Sequence, residues 1–141
     1  MAQKDKVTIR VEATIQAPLD QVWKLWTTLE HIKNWNTASE DWHTIEAEVD
    51  LREGGRFSSR MEARDGSMGF DFWGIYDQVE KNKLLSISLG DGRKMSVDFV
   101  AADNATKVVE VFEAEDENSI DLQRQGWQAI LDNFKKYAEN L

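Results

Sequence analysis

Residues 7–17, VTIRVEATIQA, alternate between apolar and polar side chains. Val7, Ile9, Val11, Ala13 and Ile15 fall on one side, and Thr8, Arg10, Glu12 and Thr14 on the other. Successive side chains of a strand point to opposite faces, so this period of two predicts a half-buried strand. Pro18 ends the ladder because it has no N–H to donate, and Asp20 is placed to cap a helix. Val22, Trp23, Leu25, Trp26 and Leu29 follow at helical spacing, and Ile32 with Trp35 fits a second short helix after a break near Thr28. Asn36 to Asp41 is polar and reads as a loop.

Period two returns at Trp42. His43, Ile45, Ala47 and Val49 share one face of that segment; Thr44, Glu46, Glu48 and Asp50 share the other. Leu51 to Gly55 (LREGG) is a turn, and Arg56 to Ala63 a strand. Asp65-Gly66 is a type I′ hairpin signal. A turn there sets Met61 opposite Phe70, Ser59 opposite Phe72 and Phe57 opposite Gly74 on an apolar face. Arg60 then opposes Asp71 and Ser58 opposes Trp73 on the other, so pattern and register agree. A four-residue loop at Glu80 to Lys83 brings Leu85, Ile87 and Leu89 to the inner face beside Gly74 and Tyr76. A three-residue loop, Gly90-Asp91-Gly92, keeps Met95, Val97 and Phe99 inside; a two-residue loop would bury Ser96 and Asp98 instead. In the last strand, Lys107 to Ala114, either Val109 and Val111 or Val108, Glu110 and Phe112 can face inward. A four-residue turn at Ala102 to Ala105 favours the second set, and places a carboxylate where burial is costly without a partner.

The stretch from Asn118 to Leu141 contains no proline. Trp127, Ile130, Leu131, Phe134, Tyr137, Ala138 and Leu141 form one helical face, opposed by Arg124, Gln128, Asp132, Lys135, Lys136 and Glu139. Asn118 or Ser119 can serve as N-cap, and Asp121 sits in the first turn, where the helix dipole favours it. Such a helix is roughly 30 Å long and can cross a small domain. Gly126 costs it about 1 kcal/mol against alanine, which suggests close packing or a bend beside Trp127. The expected fold class is therefore α+β: one strand, two short helices, six further strands in an antiparallel meander, and one long terminal helix.

Composition narrows the function. A chain of 141 residues is read as one domain, 1–141. No apolar run reaches 18 residues and no charged-then-apolar leader is present, so neither a membrane span nor a signal peptide is expected. The chain has no cysteine, hence no disulfide framework, and a cytoplasmic location is expected. A formal charge of −9 argues against nucleic-acid binding through a basic surface and against anionic membranes. No G-x-S-x-G, Walker loop or G-x-G-x-x-G is found, and no Ser-His-Asp spacing is readable. Two histidines without cysteine make no structural zinc site, and the acidic group Glu113, Glu115, Asp116 and Glu117 lacks the calcium-loop pattern. No catalytic residue, metal or cofactor is assigned.

The chain resembles the START-like helix-grip fold, the SRPBCC superfamily that includes the birch-pollen allergen. It is nearest the branch named after the activator of heat-shock protein 90 ATPase. The resemblance is carried by Ala17-Pro18 leading into Val22-Trp23, the pair of helices from Trp26 to Trp35, and the segment Asp50-Leu51-Arg52-Glu53-Gly54-Gly55-Arg56-Phe57. Gly74-Ile75-Tyr76 before the Lys83-Leu84 turn, Thr106-Lys107-Val108, and Gly126-Trp127 with Leu131 and Phe134 complete it. It implies a seven-stranded curved sheet gripping the long helix, with a cavity between them for a small hydrophobic molecule or lipid. The same fold also hosts cyclases and hydrolases, including polyketide cyclase-like enzymes, so an enzyme using that cavity is the alternative. The branch name implies co-chaperone work. The eukaryotic activator, however, carries an additional N-terminal domain that makes much of that contact. Only Met1 to Lys6 precede the first strand here, so a chaperone partner is not expected.

The inner-face set Phe57, Met61, Phe70, Phe72, Tyr76, Met95, Phe99 and Phe112, facing Trp127, Ile130 and Phe134, makes either a filled core or the wall of such a cavity. Trp35 to His43 (WNTASEDWH) falls where the resemblance places a cavity mouth; local loop hydrogen bonding is the other account of its polar groups. Trp35, Asn36, Trp42 and His43 are the candidates to flank the entrance. His31 reads as a solvated helix residue. His43 can meet an inward Glu110 as an acid–base pair. Arg60–Asp71 reads as a surface pair of small energetic value. The candidate ligand-binding set is thus Trp35, Trp42, His43, Phe57, Met61, Phe70, Phe72, Tyr76, Met95, Phe99, Glu110, Phe112, Trp127, Ile130 and Phe134.

Overall fold

A computed structural model describes residues 7–36 and 40–141. The period-two segments become β1 (Thr8–Ile15), β2 (Trp42–Val49), β3 (Arg56–Ala63), β4 (Gly69–Glu80), β5 (Leu84–Leu89), β6 (Lys94–Ala102) and β7 (Ala105–Glu113). The helical segments become α1 (Leu19–Thr27), α2 (Leu29–Trp35) and α3 (Ile120–Glu139). Thr37 to Ser39, the middle of the polar stretch, and Met1 to Lys6 lie outside the described residues. The strands form one seven-stranded antiparallel sheet in the order β1-β7-β6-β5-β4-β3-β2. After β1 the chain crosses through α1 and α2 to the far edge, then meanders back until β7 pairs with β1. The sheet curls, and α3 lies in its concave side.

The β3–β4 register is the expected one, with Met61 opposite Phe70, Phe57 opposite Gly74 and Arg60 opposite Asp71. The turn itself differs. The Gly66 N–H donates to the Ala63 carbonyl at 2.9 Å, and only Gly66, at φ +78°, lies in the left-handed region. A type I′ turn needs both central residues there; Asp65 instead folds its carboxylate onto the Ser67 N–H at 2.9 Å. The result is a four-residue loop with the same parity as the two-residue one.

Two bulges change the picture elsewhere. Between β2 and β3, Thr44 faces Met61 while Glu46 faces Arg60, which leaves Ile45 unpaired. An extra residue in one strand reverses the facing of everything beyond it. Thr44 is therefore buried on the inner side, which it shares with the half-buried Ala47 and Val49. His43 opposes Glu62 on the outer side, contrary to the expected alternation. Between β4 and β5 the loop has three residues rather than four, with Glu80 opposite Leu84 and Asn82 at φ 63°. A bulge at Asp77 supplies the missing residue, so Tyr76 still opposes Ile87 and Gly74 still opposes Leu89. The Gly90–Gly92 loop and the turn at Ala102–Ala105 act as expected, and Val108, Glu110 and Phe112 all face inward and are buried.

Helix ends show smaller departures. Pro18 occupies the N-cap of α1 without a side-chain bond, and Asp20 sits in the first turn instead of capping. Thr28 closes α1 and opens α2, so Leu29 begins the second helix and is exposed. Ser119 caps α3, its Oγ accepting the Leu122 N–H at 3.1 Å. Leu141 lies past the end of α3 and is 65% exposed. The helix runs unbroken through Gly126, where an added β-carbon would meet nothing within 4 Å. Close packing is thus not the reason for that glycine.

Aromatic rings lock the helices to one another. Phe134 of α3 is fully buried, 4.8 Å from the Trp26 ring of α1 and 4.9 Å from the Trp35 ring of α2. Trp23 and Trp26 pack edge-on against Phe99 of β6 at 5.1 and 5.9 Å. The Trp35 indole N–H finds its acceptor in the Leu25 carbonyl at 3.0 Å, so even the polar edge is satisfied. Phe134→Ala should cost about 3–5 kcal/mol in urea denaturation, whereas Leu141→Ala should stay within about 0.5 kcal/mol. Equal costs would mean that the clamp does not hold the helix.

Candidate functional site

The helix α3 is tied along one edge. Gln128 Nε2 donates to the Glu12 carbonyl at 3.2 Å and Lys135 Nζ to the Thr14 carbonyl at 2.6 Å. The Gln16 N–H donates to Glu139 Oε2 at 2.8 Å, and Asn133 Nδ2 to the Trp35 carbonyl at 2.9 Å. These bonds hold the helix against β1 and α2, while the sheet curls away beneath its other side. A pocket of about 350 Å³ remains there.

Its deep surface is made by Leu85, Ile87, Met95, Val97 and Glu110, all buried. Its wall is a run of rings: Trp127 stacked on Phe112 at 3.8 Å and meeting Phe72 edge-on at 6.0 Å, with Phe57 5.8 Å from Phe72 and 5.5 Å from Tyr76. Trp26, Ile32 and Trp35 close the end under the short helices. Toward solvent lie Phe70, 46% exposed, and Glu48, with the buried Met61 and the half-buried Arg93 behind them. Asn36 stitches α2 to the sheet beside the pocket. Its Nδ2 donates to Ser59 Oγ at 3.2 Å and its carbonyl accepts from Thr44 Oγ1 at 2.9 Å.

Among the described residues that line the pocket, two titratable groups are buried, Glu110 and Tyr76. Burial raises the Glu110 carboxyl from 4.5 to about 8, and no charge or hydrogen bond contributes to the shift. Burial likewise raises the Tyr76 hydroxyl to about 12. At neutral pH both therefore keep their protons.

Of the expected residues, Trp35, Phe57, Met61, Phe70, Phe72, Tyr76, Met95, Glu110, Trp127 and Ile130 line the pocket. Five do not. Trp42 packs against Phe70 at 5.7 Å without reaching the pocket. The bulge at Ile45 turns His43 to the outer face, so the pair His43–Glu110 is not formed. Phe99 is taken up by Trp23 and Trp26, Phe112 lies under Trp127, and Phe134 is enclosed by the aromatic clamp. His31 is not simply solvated: its Nδ1 is 2.6 Å from the Tyr137 hydroxyl, which joins α2 to α3. Arg60 meets Asp71 at 3.6 Å on the outer face, as expected of a surface pair. Sequence reasoning missed several lining residues, among them Trp26, Ile32, Ser59, Arg93 and Gly126, and left the inward Leu85, Ile87 and Val97 out of the candidate set. For Gly126 the available signal was a glycine beside Trp127 on the inward face. Where a side chain would project into the pocket, there is none. Among the described residues no group of His, Cys, Asp and Glu can hold a metal ion, and no helix is long and apolar enough to cross a membrane.

The family described as Activator of Hsp90 ATPase homolog 1-like protein matches residues 16–139. The chain belongs to that family. This AHSA1-like domain falls in the START-like, SRPBCC superfamily. It is 45% identical to the AHSA1-like protein of Aeromonas hydrophila, whose solution structure gives a TM-score of 0.90 over 95% of this chain and 93% of that one. A Cytophaga hutchinsonii protein is 47% identical, with a TM-score of 0.82 over 94% and 92% of the two chains. A Nitrosomonas europaea protein at 18% identity, TM-score 0.80 and 95% coverage of both chains shares the fold. No curated protein matches the chain.

The buried Glu110 carboxyl sets a sign for stability against pH in this AHSA1-like domain. Between 4.5 and about 8 the folded chain keeps a proton that the unfolded chain has released. Stability from this site therefore falls as pH rises through that window and levels off above it. Glu110→Gln should be more stable than the parent at about pH 8, with a smaller difference at about pH 5, in urea denaturation at both. A difference independent of pH would place the carboxyl in water.

Proposed function

We propose that this chain is a binding protein that encloses a small, mostly apolar molecule between α3 and the curled sheet. The observation that carries the reading is the hollow itself. Protein interiors pack to the density of organic crystals and leave few voids larger than a water molecule. A ring-walled space of about 350 Å³ is no packing fault; it falls within the roughly 300–1,000 Å³ of small-molecule sites. Its composition agrees, with apolar and aromatic side chains predominating and a few polar groups to orient what enters.

Binding is favoured over catalysis by the spacing of those polar groups. Glu110 lies on β7 and Tyr76 on β4, with β5 and β6 between them, and His43 faces away. Among the described residues no nucleophile–base or acid–base pair is assembled within the pocket.

Gly126 supplies the test. Because nothing lies within 4 Å of its would-be β-carbon, Gly126→Phe should fold with stability within about 1 kcal/mol of the parent while its ring fills the space beside Trp127. Protein purified from its own host should carry a small molecule in native mass spectrometry, and the Gly126→Phe protein should carry about tenfold less. An empty parent protein, or equal loading of the two, would count against the reading.

A further inference from the structure

Glu110 stands on β7, one strand in from the edge of the sheet, and its neighbours across the ladder are apolar. Across the ladder it opposes Val11 on β1 and Val97 on β6. Along its own strand the next inward residues are Val108 and Phe112, both fully buried. The residue is 5% exposed and lines the pocket, and its carboxyl receives no hydrogen bond or ion pair from the described residues. A valine here would complete the apolar row without the cost of an unsatisfied buried polar group. The carboxyl has one direction in which to find a partner, which is the pocket.

Resting on the pocket as a binding site, we infer that it selects a neutral molecule bearing an oxygen acceptor, a carbonyl or an ether, and that the Glu110 carboxyl donates the hydrogen bond that grips it. The donor role follows from protonation. A buried carboxyl without a counter-charge keeps its proton at neutral pH and presents an O–H. Tyr76, in the ring wall of the same pocket, presents a second O–H with no acceptor among the described residues. The other titratable groups lining the pocket do not alter this. Arg93 is engaged by Asp91 at 2.7 Å and by the Glu113 carbonyl at 3.3 Å, and Glu48 is exposed to solvent. Among the described residues an anionic ligand would meet no free cation in the depth of the site, and a cationic one would first have to displace the Glu110 proton.

Three probes of one skeleton test the inference on the full chain: diphenylmethane, benzophenone and diphenylmethylamine, titrated by calorimetry or by amide chemical shifts. Benzophenone should bind the parent protein about tenfold more tightly than diphenylmethane, the worth of one added hydrogen bond. The amine should gain nothing over diphenylmethane. In Glu110→Leu the ketone-to-hydrocarbon ratio should fall to about one while diphenylmethane affinity is kept or improved. Raising the pH to about 9.5 should erase the parent's ratio in the same way, because a carboxylate cannot donate. Glu110→Gln, neutral and of similar shape, should keep a ratio above one that no longer responds to pH, and it serves as the test should the leucine protein fail to fold. A ratio that survives Glu110→Leu, a pH response that survives Glu110→Gln, or tightest binding by the amine would overturn the inference and leave the pocket reading standing. Failure of all three probes to bind the parent would instead remove the pocket reading on which it rests.

Discussion

Phe134 is wedged between Trp26 and Trp35, and that contact decides where α3 can lie. The two short helices sit over one end of the concave face, so clamping α3 to them fixes its C-terminal half there. Hydrogen bonds from Gln128 and Lys135 to carbonyls of β1 then fix its lateral position. With one end and one side fastened, the helix cannot settle onto β3 and β4 to fill the space beneath. The hollow is a geometric remainder of this fastening, and the rings of Trp127, Phe72 and Phe57 line what remains.

The energetic tension runs between that fastening and the features of the site. A folded domain is stable by only about 5–15 kcal/mol. A hollow forfeits dispersion contacts, a mid-helix glycine costs about 1 kcal/mol, and an unpartnered buried carboxyl costs more. All three coincide at Gly126, Glu110 and the space between them. Ordinary packing elsewhere, in the row Ile9, Val11 and Ile15 and in the aromatic clamp, offsets them. The site is thus the place where local rules are broken together, as functional sites tend to be.

Much of the architecture was legible in the chain because turns and alternation constrain each other. The β3–β4 pairing and the inward row Val108, Glu110 and Phe112 both followed from turn parity. Even the wrong turn type at Asp65-Gly66 left the register intact, since a four-residue and a two-residue loop share parity. What parity cannot reveal is a residue that drops out of the ladder. Ile45 has a strand-forming side chain and sits within an unbroken alternation, so nothing local announces the bulge that sends His43 outward. The pocket was half legible. Its wall is the inward row of β3 and β4, but whether Phe99, Phe112 and Phe134 faced space or one another depended on helix placement, which periodicity does not encode. Gly126 was misread because a missing side chain can signify either contact or vacancy.

The hairpin between β4 and β5 joins a three-residue loop to a bulge at Asp77, and together they place side chains as a four-residue loop without a bulge would. Two spellings of this hairpin are thus equivalent at the concave face. Over evolutionary time the chain is free to exchange one for the other, a residue moving from strand to loop, with Tyr76 and Ile87 left facing each other. Because both spellings use the same number of residues, such an exchange leaves the chain length and the facing of the interior side chains unchanged.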